Sequence, residues 1–69
     1  MSNIESTVKQ HRLRAGLSQE TLARELGVSR QTVVNIERGV SEPRVLLALA
    51  LAAVLGATVQ ELFRKRPVP

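Results

Sequence analysis

From Leu22 to Gly39 the chain reads LARELGVSRQTVVNIERG, and its apolar residues recur at helical spacing with one interruption at Gly27 and Val28. Leu22 and Leu26 form one stripe, with the small Ala23 beside it, and Val33 and Ile36 form the next. Residues three and four apart share a helix face. The pattern therefore predicts two short helices, Gln19 to Leu26 and Arg30 to Arg38, each with one buried side. Ser18 and Ser29 stand where a hydroxyl caps free backbone N–H groups, and Gly27 and Gly39 stand where helices end. Ala23 lets a second helix cross closely, and Val28 plugs the bend. Two short helices joined by a tight glycine turn form a helix-turn-helix.

Three more helices follow from punctuation. The first is expected from Ser2 or Asn3 to Ala15, with Ser2 and Glu5 spaced as a capping box. Ile4 and Val8 share its face, Leu13 arrives at a shifted angle, and Gly16 ends it. The fourth opens at Pro43, which suits a first helical position because it lacks an N–H, and stops at Gly56. The fifth is capped by Thr58, with Glu61 completing a second capping box, and runs to about Phe63. The sequence offers no strand pattern. The fold class is all-α: one five-helix domain over residues 1–63, followed by a basic, proline-containing tail or linker start, RKRPVP, over 64–69. The apolar run that begins at Val45 has 11 residues between Arg44 and Gly56. A membrane span needs about 20, so this run reads as a buried helix.

The outer face of the third helix carries the candidate chemistry. On a wheel of about 100° per residue, Val33 and Ile36 lie on the inner side within about 40° of Ser29. Arg30, Gln31, Val34, Asn35 and Arg38 fall on the opposite arc, and Glu37 lies at its edge. An arc without carboxylates can approach DNA phosphates without repulsion. Arg pairs with guanine through two parallel hydrogen bonds, Gln or Asn with adenine, and an apolar group meets the thymine methyl. A solvated face of a small bundle is the plainer reading. The joint spacing of Ala23, Gly27, Val28, Val33 and Ile36 favours a DNA reader, since a generic bundle does not require it.

Composition sharpens this picture. The 69 residues carry a net charge of +4, and eight of the ten basic residues are Arg. Such a balance favours nucleic acid or an anionic surface as partner. The basic residues are spread over all helices, which argues against a membrane-surface helix. Phe63 is the one aromatic residue, so base stacking on a single strand has no platform, and double-stranded DNA is the expected partner. With no Cys, no Asp and one His, there is no nucleophile–base pair, metal site or phosphate loop. No catalytic residue, cofactor or metal is expected. The polar opening MSNIESTVKQ lacks the apolar run of a signal peptide, and the cytoplasm is the expected compartment.

The stretch GLSQETLARELGVSRQTVVNIERG, followed by Pro43 and by Leu55-Gly56, resembles the Xre or Cro/C1-type helix-turn-helix regulators, the lambda-repressor-like domains. The resemblance spans about residues 4–63 and includes Glu61 to Phe63. It implies a five-helix domain that docks its third helix in the major groove. By position, Ser29, Arg30, Gln31 and Asn35 match the base-reading residues, and Val34 lies at a further contact position. Gln19 matches a residue that grips a phosphate. Arg44 and the backbone of Val40 to Glu42 match a loop lying on the phosphate backbone, and Arg38 joins the phosphate-facing set. Arg12 and Glu37 match a structural ion pair that orients the third helix.

Two features depart from that pattern. His11 stands where relatives often hold a larger aliphatic residue; without a second His or Cys it is read as a packing residue. The fourth helix is apolar nearly all round, and such a helix is buried on every side. Five helices cannot cover both sides of it. A homodimer is therefore expected, with an interface around Leu46, Ala50, Ala53, Leu62 and Phe63, in preference to a cluster of exposed alanines. The function expected is a sequence-specific transcriptional regulator reading an inverted repeat as a dimer. The alternatives are an antitoxin or adaptor subunit that binds a protein partner, and the DNA-binding head of a longer ligand-sensing chain.

Overall fold

Hydroxyl caps and glycines set the helix boundaries. A computed structural model describes residues 4–66, which form β1 (Ile4–Ser6), α1 (Val8–Arg14), α2 (Gln19–Leu26), α3 (Arg30–Glu37), α4 (Val45–Leu55), α5 (Val59–Leu62) and β2 (Phe63–Lys65). Ser18 accepts from the Thr21 N–H at 3.0 Å and Ser29 from the Thr32 N–H at 3.1 Å. At α5 the expected capping box is closed in both directions: Thr58 Oγ1 accepts from the Glu61 N–H, and Glu61 Oε1 accepts from the Thr58 N–H at 2.9 Å. Hydrogen bonding from Thr58, first from its backbone N–H and then from its side chain, stabilises the charged carboxylate and holds the Glu61 carboxyl below the usual glutamate range.

One apolar centre joins the five helices. Val8, Leu22, Ala23, Val33, Ile36, Leu51 and Leu62 are buried together, and Leu26 and Val28 pack against them half-buried. Leu22, Ala23, Val33 and Ile36 are the inner positions that helical spacing selects. The near-absence of surface at Ala23 reflects the close crossing of α2 and α3. No helix among the described residues is long and apolar enough to cross a membrane.

Four expectations need correction. First, the chain contains a two-stranded antiparallel ribbon, with Ile4 opposite Lys65, Glu5 opposite Arg64 and Ser6 opposite Phe63. Three-residue strands are too short to display alternation, and their partners lie at opposite ends of the sequence. Second, α1 starts at Val8. Glu5 is in β1, so it makes no helical capping box; Ser2 lies outside the described residues. The Thr7 N–H donates to the Leu62 carbonyl at 2.8 Å and its hydroxyl to the Glu61 carbonyl at 2.7 Å, so residues 4–7 are held against the end of α5. Third, α4 starts at Val45 with Arg44 as its extended N-cap, not at Pro43. Fourth, Arg64 and Lys65 belong to β2, so regular structure continues beyond Phe63.

The ribbon also touches the loop after α3. Gly39 has φ +70°, and a Cβ there would come within 2.9 Å of the Ile4 carbonyl oxygen. Glycine is required at this position for two separate reasons, a left-handed backbone and a close neighbour.

Candidate nucleic-acid interface

The turn after α2 aims α3. Gly27 closes α2 in the left-handed conformation, with φ 71°. Its N–H and that of Val28 donate back to the Arg24 and Ala23 carbonyls. Ser29 then caps α3. With Val33 and Ile36 buried, the far side of α3 faces outward: Arg30 and Gln31 are exposed, Val34 and Asn35 half-exposed, and Arg38 exposed at the C-cap. The five residues that the wheel places on the outer arc thus share one face.

Two of them are bonded to each other. Gln31 Nε2 donates to Asn35 Oδ1 at 3.0 Å, one helical turn apart. This leaves Gln31 Oε1 and the Asn35 amide N–H groups as acceptor and donor, the pairing an adenine edge requires. Ser29 is exposed too, but its Oγ accepts the Thr32 N–H and lies 2.9 Å from Thr32 Oγ1. Its hydroxyl thus caps the helix start.

No glutamate of α3 faces the outer arc. Glu37, the only carboxylate in the helix, turns inward, and its side chain keeps 4 % of its surface. Arg12 Nε donates to Glu37 Oε2 at 2.6 Å and Arg12 Nη2 to Oε1 at 3.4 Å. Arg12 Nη1 donates to the Leu17 carbonyl at 2.8 Å. The pair joins α1 to α3, as the resemblance implies. Among the described residues, no buried side-chain polar atom is left without a partner. That matters because an unpaired buried charge costs several kcal/mol, of order 3–5.

Gln19 sits at the start of α2, half-buried, between Glu37 and Arg30. Its Nε2 donates to Glu37 Oε1 at 3.0 Å, and its Oε1 accepts from Arg30 Nη2 at 3.2 Å. Sequence spacing gives no hint of this double engagement, because it depends on side-chain paths between two helices. Arg44 is exposed at the N-cap of α4, on the loop that follows α3.

The residues expected at a subunit interface do not all reach the surface. Leu46 is 81 % exposed, Ala53 is exposed and Ala50 is half-buried, whereas Leu62 has no exposed surface and Phe63 is half-buried in β2. Leu62 ends a one-turn helix, so its side chain enters the core while its carbonyl binds Thr7. The exposed apolar side of α4 instead includes Val45 and Leu49, at 74 % and 54 %. These border a groove of about 580 Å³ whose floor includes Pro43, Ala52, Val59 and Phe63. A helix that is apolar on every side has no stripe to fix its phase, which is why the sequence did not single them out.

Comparison with known proteins accords with this geometry. The HTH_3 helix-turn-helix family matches residues 8–62. An uncharacterized HTH-type transcriptional regulator of Methanocaldococcus jannaschii is 38 % identical over 60 residues, which are 87 % of this chain and 91 % of the relative. The crystal structure of the restriction-modification controller protein C.AhdI from Aeromonas hydrophila superposes with a TM-score of 0.70 at 37 % identity, covering 78 % of this chain and 82 % of the other. SinR, the master regulator for biofilm formation, crystallised in complex with DNA, gives 0.69 at 31 % identity, covering 77 % and 86 %.

Proposed function

Because this chain belongs to the HTH_3 helix-turn-helix family, with the Xre and lambda-repressor-like regulators, we propose that it is a sequence-specific, double-stranded DNA-binding transcriptional regulator that lays α3 in the major groove. One observation carries the reading. The outer face of α3 presents Arg30, Gln31, Val34 and Asn35, while the only carboxylate of that helix is drawn into an ion pair with Arg12. Arg30 reads guanine, the hydrogen-bonded Gln31 and Asn35 read adenine, and Val34 meets a thymine methyl. The Ser29 hydroxyl holds the helix start, where free N–H groups favour an anion.

Gln19, Arg38, Arg44 and the backbone from Val40 to Glu42 meet phosphates and fix the register. A net charge of +4 draws the domain to DNA before any base is read. The protein acts in the cytoplasm as a homodimer. The second copy covers Val45, Leu46, Leu49 and Ala53 on α4, since so large an exposed apolar face is uncommon on a monomer. Two-fold symmetry then places the two α3 helices about 34 Å apart, one turn of duplex. The operator is an inverted repeat. The likeness to SinR, whose structure contains DNA, supports this reading.

Selection from random duplexes, with affinity measured at two salt concentrations, tests it. The expected result is an inverted repeat whose affinity falls steeply with salt but which keeps its advantage over bulk DNA. Selection of no preferred sequence would overturn the proposal.

A further inference from the structure

The ribbon ends against the loop after α3. β2 runs antiparallel to β1, from Phe63 opposite Ser6 to Lys65 opposite Ile4. Ile4 in turn meets the loop twice. Its carbonyl oxygen would lie 2.9 Å from a Cβ at Gly39, and it lines the apolar groove together with Glu42 and Pro43. Paired residues of antiparallel strands have Cα atoms about 4.5–5.5 Å apart, so Lys65 stands one strand away from the loop. We propose that Lys65 and Arg66 form a second phosphate-binding element, which extends the DNA contact of the loop after α3 along the duplex backbone. This deepens the proposed function and rests on the phosphate contacts given there to Arg44 and residues 40–42.

Strand geometry divides the basic run Arg64, Lys65 and Arg66. Successive side chains of a strand point to opposite faces. Arg64 stands opposite Glu5 and lines a polar cleft with Thr7, His11, Arg14 and Glu61, on the α1 side of the ribbon. Lys65 lies on the other face, with Phe63 and Ile4, which both line the groove that Glu42 and Pro43 border. Arg66 continues past Ile4 in the direction of the loop. All three basic residues are exposed. Among the described residues, none of their side chains is held in a hydrogen bond or an ion pair.

Charge follows the same division. Arg64 has the carboxylates of Glu5 and Glu61 near it. The loop end of the ribbon is different: Arg38, Arg44, Lys65 and Arg66 stand against one carboxylate, Glu42. Cations gathered in this way neutralise phosphates and release counterions from the duplex. Phosphate contacts carry no sequence information. Lys65 and Arg66 therefore strengthen every duplex alike and leave the choice of bases to α3.

The test compares Lys65→Gln, Arg66→Gln, the double variant and Arg64→Gln on the selected duplex and on bulk DNA over a range of salt. Each single change removes one charge from an exposed position, so thermal melts should coincide with the wild type. Lys65→Gln and Arg66→Gln should each lower the slope of log affinity against log salt by about one, and the double variant by about two. Arg64→Gln should keep the wild-type slope. The affinity lost over about a fourfold rise in salt then shrinks about tenfold in the double variant. Preferences among base pairs should stay as they are. Ethylation interference should lose its signal at phosphates flanking those of the loop in the double variant and keep it in Arg64→Gln. An equal fall in slope for Arg64→Gln would reduce the effect to net charge and overturn the proposal. An unchanged slope in the double variant would overturn it too, and leave Lys65 and Arg66 as charges that keep a strand edge from pairing with another chain. If the wild type selects no sequence but still binds duplex, base reading by α3 fails, and the slopes on bulk DNA judge the second element. A wild type that binds no duplex overturns both.

Discussion

In the proposed complex a glutamate on the outer face of α3 would repel phosphates, and Glu37 avoids this by turning to Arg12. The bond is short and nearly solvent-free, so its loss has a different scale from that of a surface pair. Glu37→Ala leaves the Arg12 guanidinium buried without a counter-charge and should lower the unfolding free energy by about 3–5 kcal/mol. Glu20 and Arg24 are 3.9 Å apart and both largely exposed, and Glu20→Ala should cost no more than about 1 kcal/mol. Chemical denaturation compares the two variants. Equal, small effects would contradict the structural role given to the buried pair. At this scale the sequence was informative where chemistry is local. The outer set of α3 follows from spacing, and the Arg12–Glu37 pair follows from the family resemblance. The engagement of Gln19 with both Glu37 and Arg30 was not legible. It depends on where two side chains from different helices meet.

Helix boundaries were legible at Ser18, Ser29, Thr58 and Gly27, where a cap or a glycine marks them, whereas the spacing of Ser2 and Glu5 and the position of Pro43 pointed to starts upstream of those observed at Val8 and Val45. The missed strands carry no such marks. Residues 4–6 become a strand because their partners, residues 63–65, return from the far end of the chain, and no local signal announces that pairing. The same ribbon makes Gly39 unlike Gly27. Both have positive φ, but a Cβ on Gly27 meets nothing within 4 Å, whereas one on Gly39 meets the Ile4 carbonyl. Gly27→Ala should therefore cost about 1–2 kcal/mol, the penalty of the left-handed backbone alone. Gly39→Ala should cost more, because main-chain atoms of β1 must also shift. Thermal melts of the two variants separate the contributions. An equal loss in both would mean that β1 does not press on the loop after α3.

A chain this short buries a smaller share of its surface than a larger domain and is correspondingly marginal alone. Its most hydrophobic helix leaves Val45, Leu46 and Leu49 in the open. A second copy on this face would add the missing layer and bring two reading helices to one duplex. Leu46→Glu places a charge in the middle of the patch without disturbing the core. Light scattering at high micromolar concentration should find a dimer in the wild type and a monomer in the variant. The variant should lose affinity for the full inverted repeat but not for a half-site. A wild type that stays monomeric would remove the dimer from the account. Sequence alone pointed to an apolar excess on this helix and to an outer side at Leu46, Ala50 and Ala53; the structure exposes Leu46 and Ala53, half-buries Ala50 and adds Val45 and Leu49.

The proposed function depends on α3 reading bases with its outer face, and the affinity of Arg30→Ala across a panel of single base-pair substitutions is its sharpest test. The predicted result is a loss of about 1–3 kcal/mol on the selected duplex, with the preference erased at one G·C pair and kept at the others. An equal loss on every duplex, or no loss on any, would contradict it.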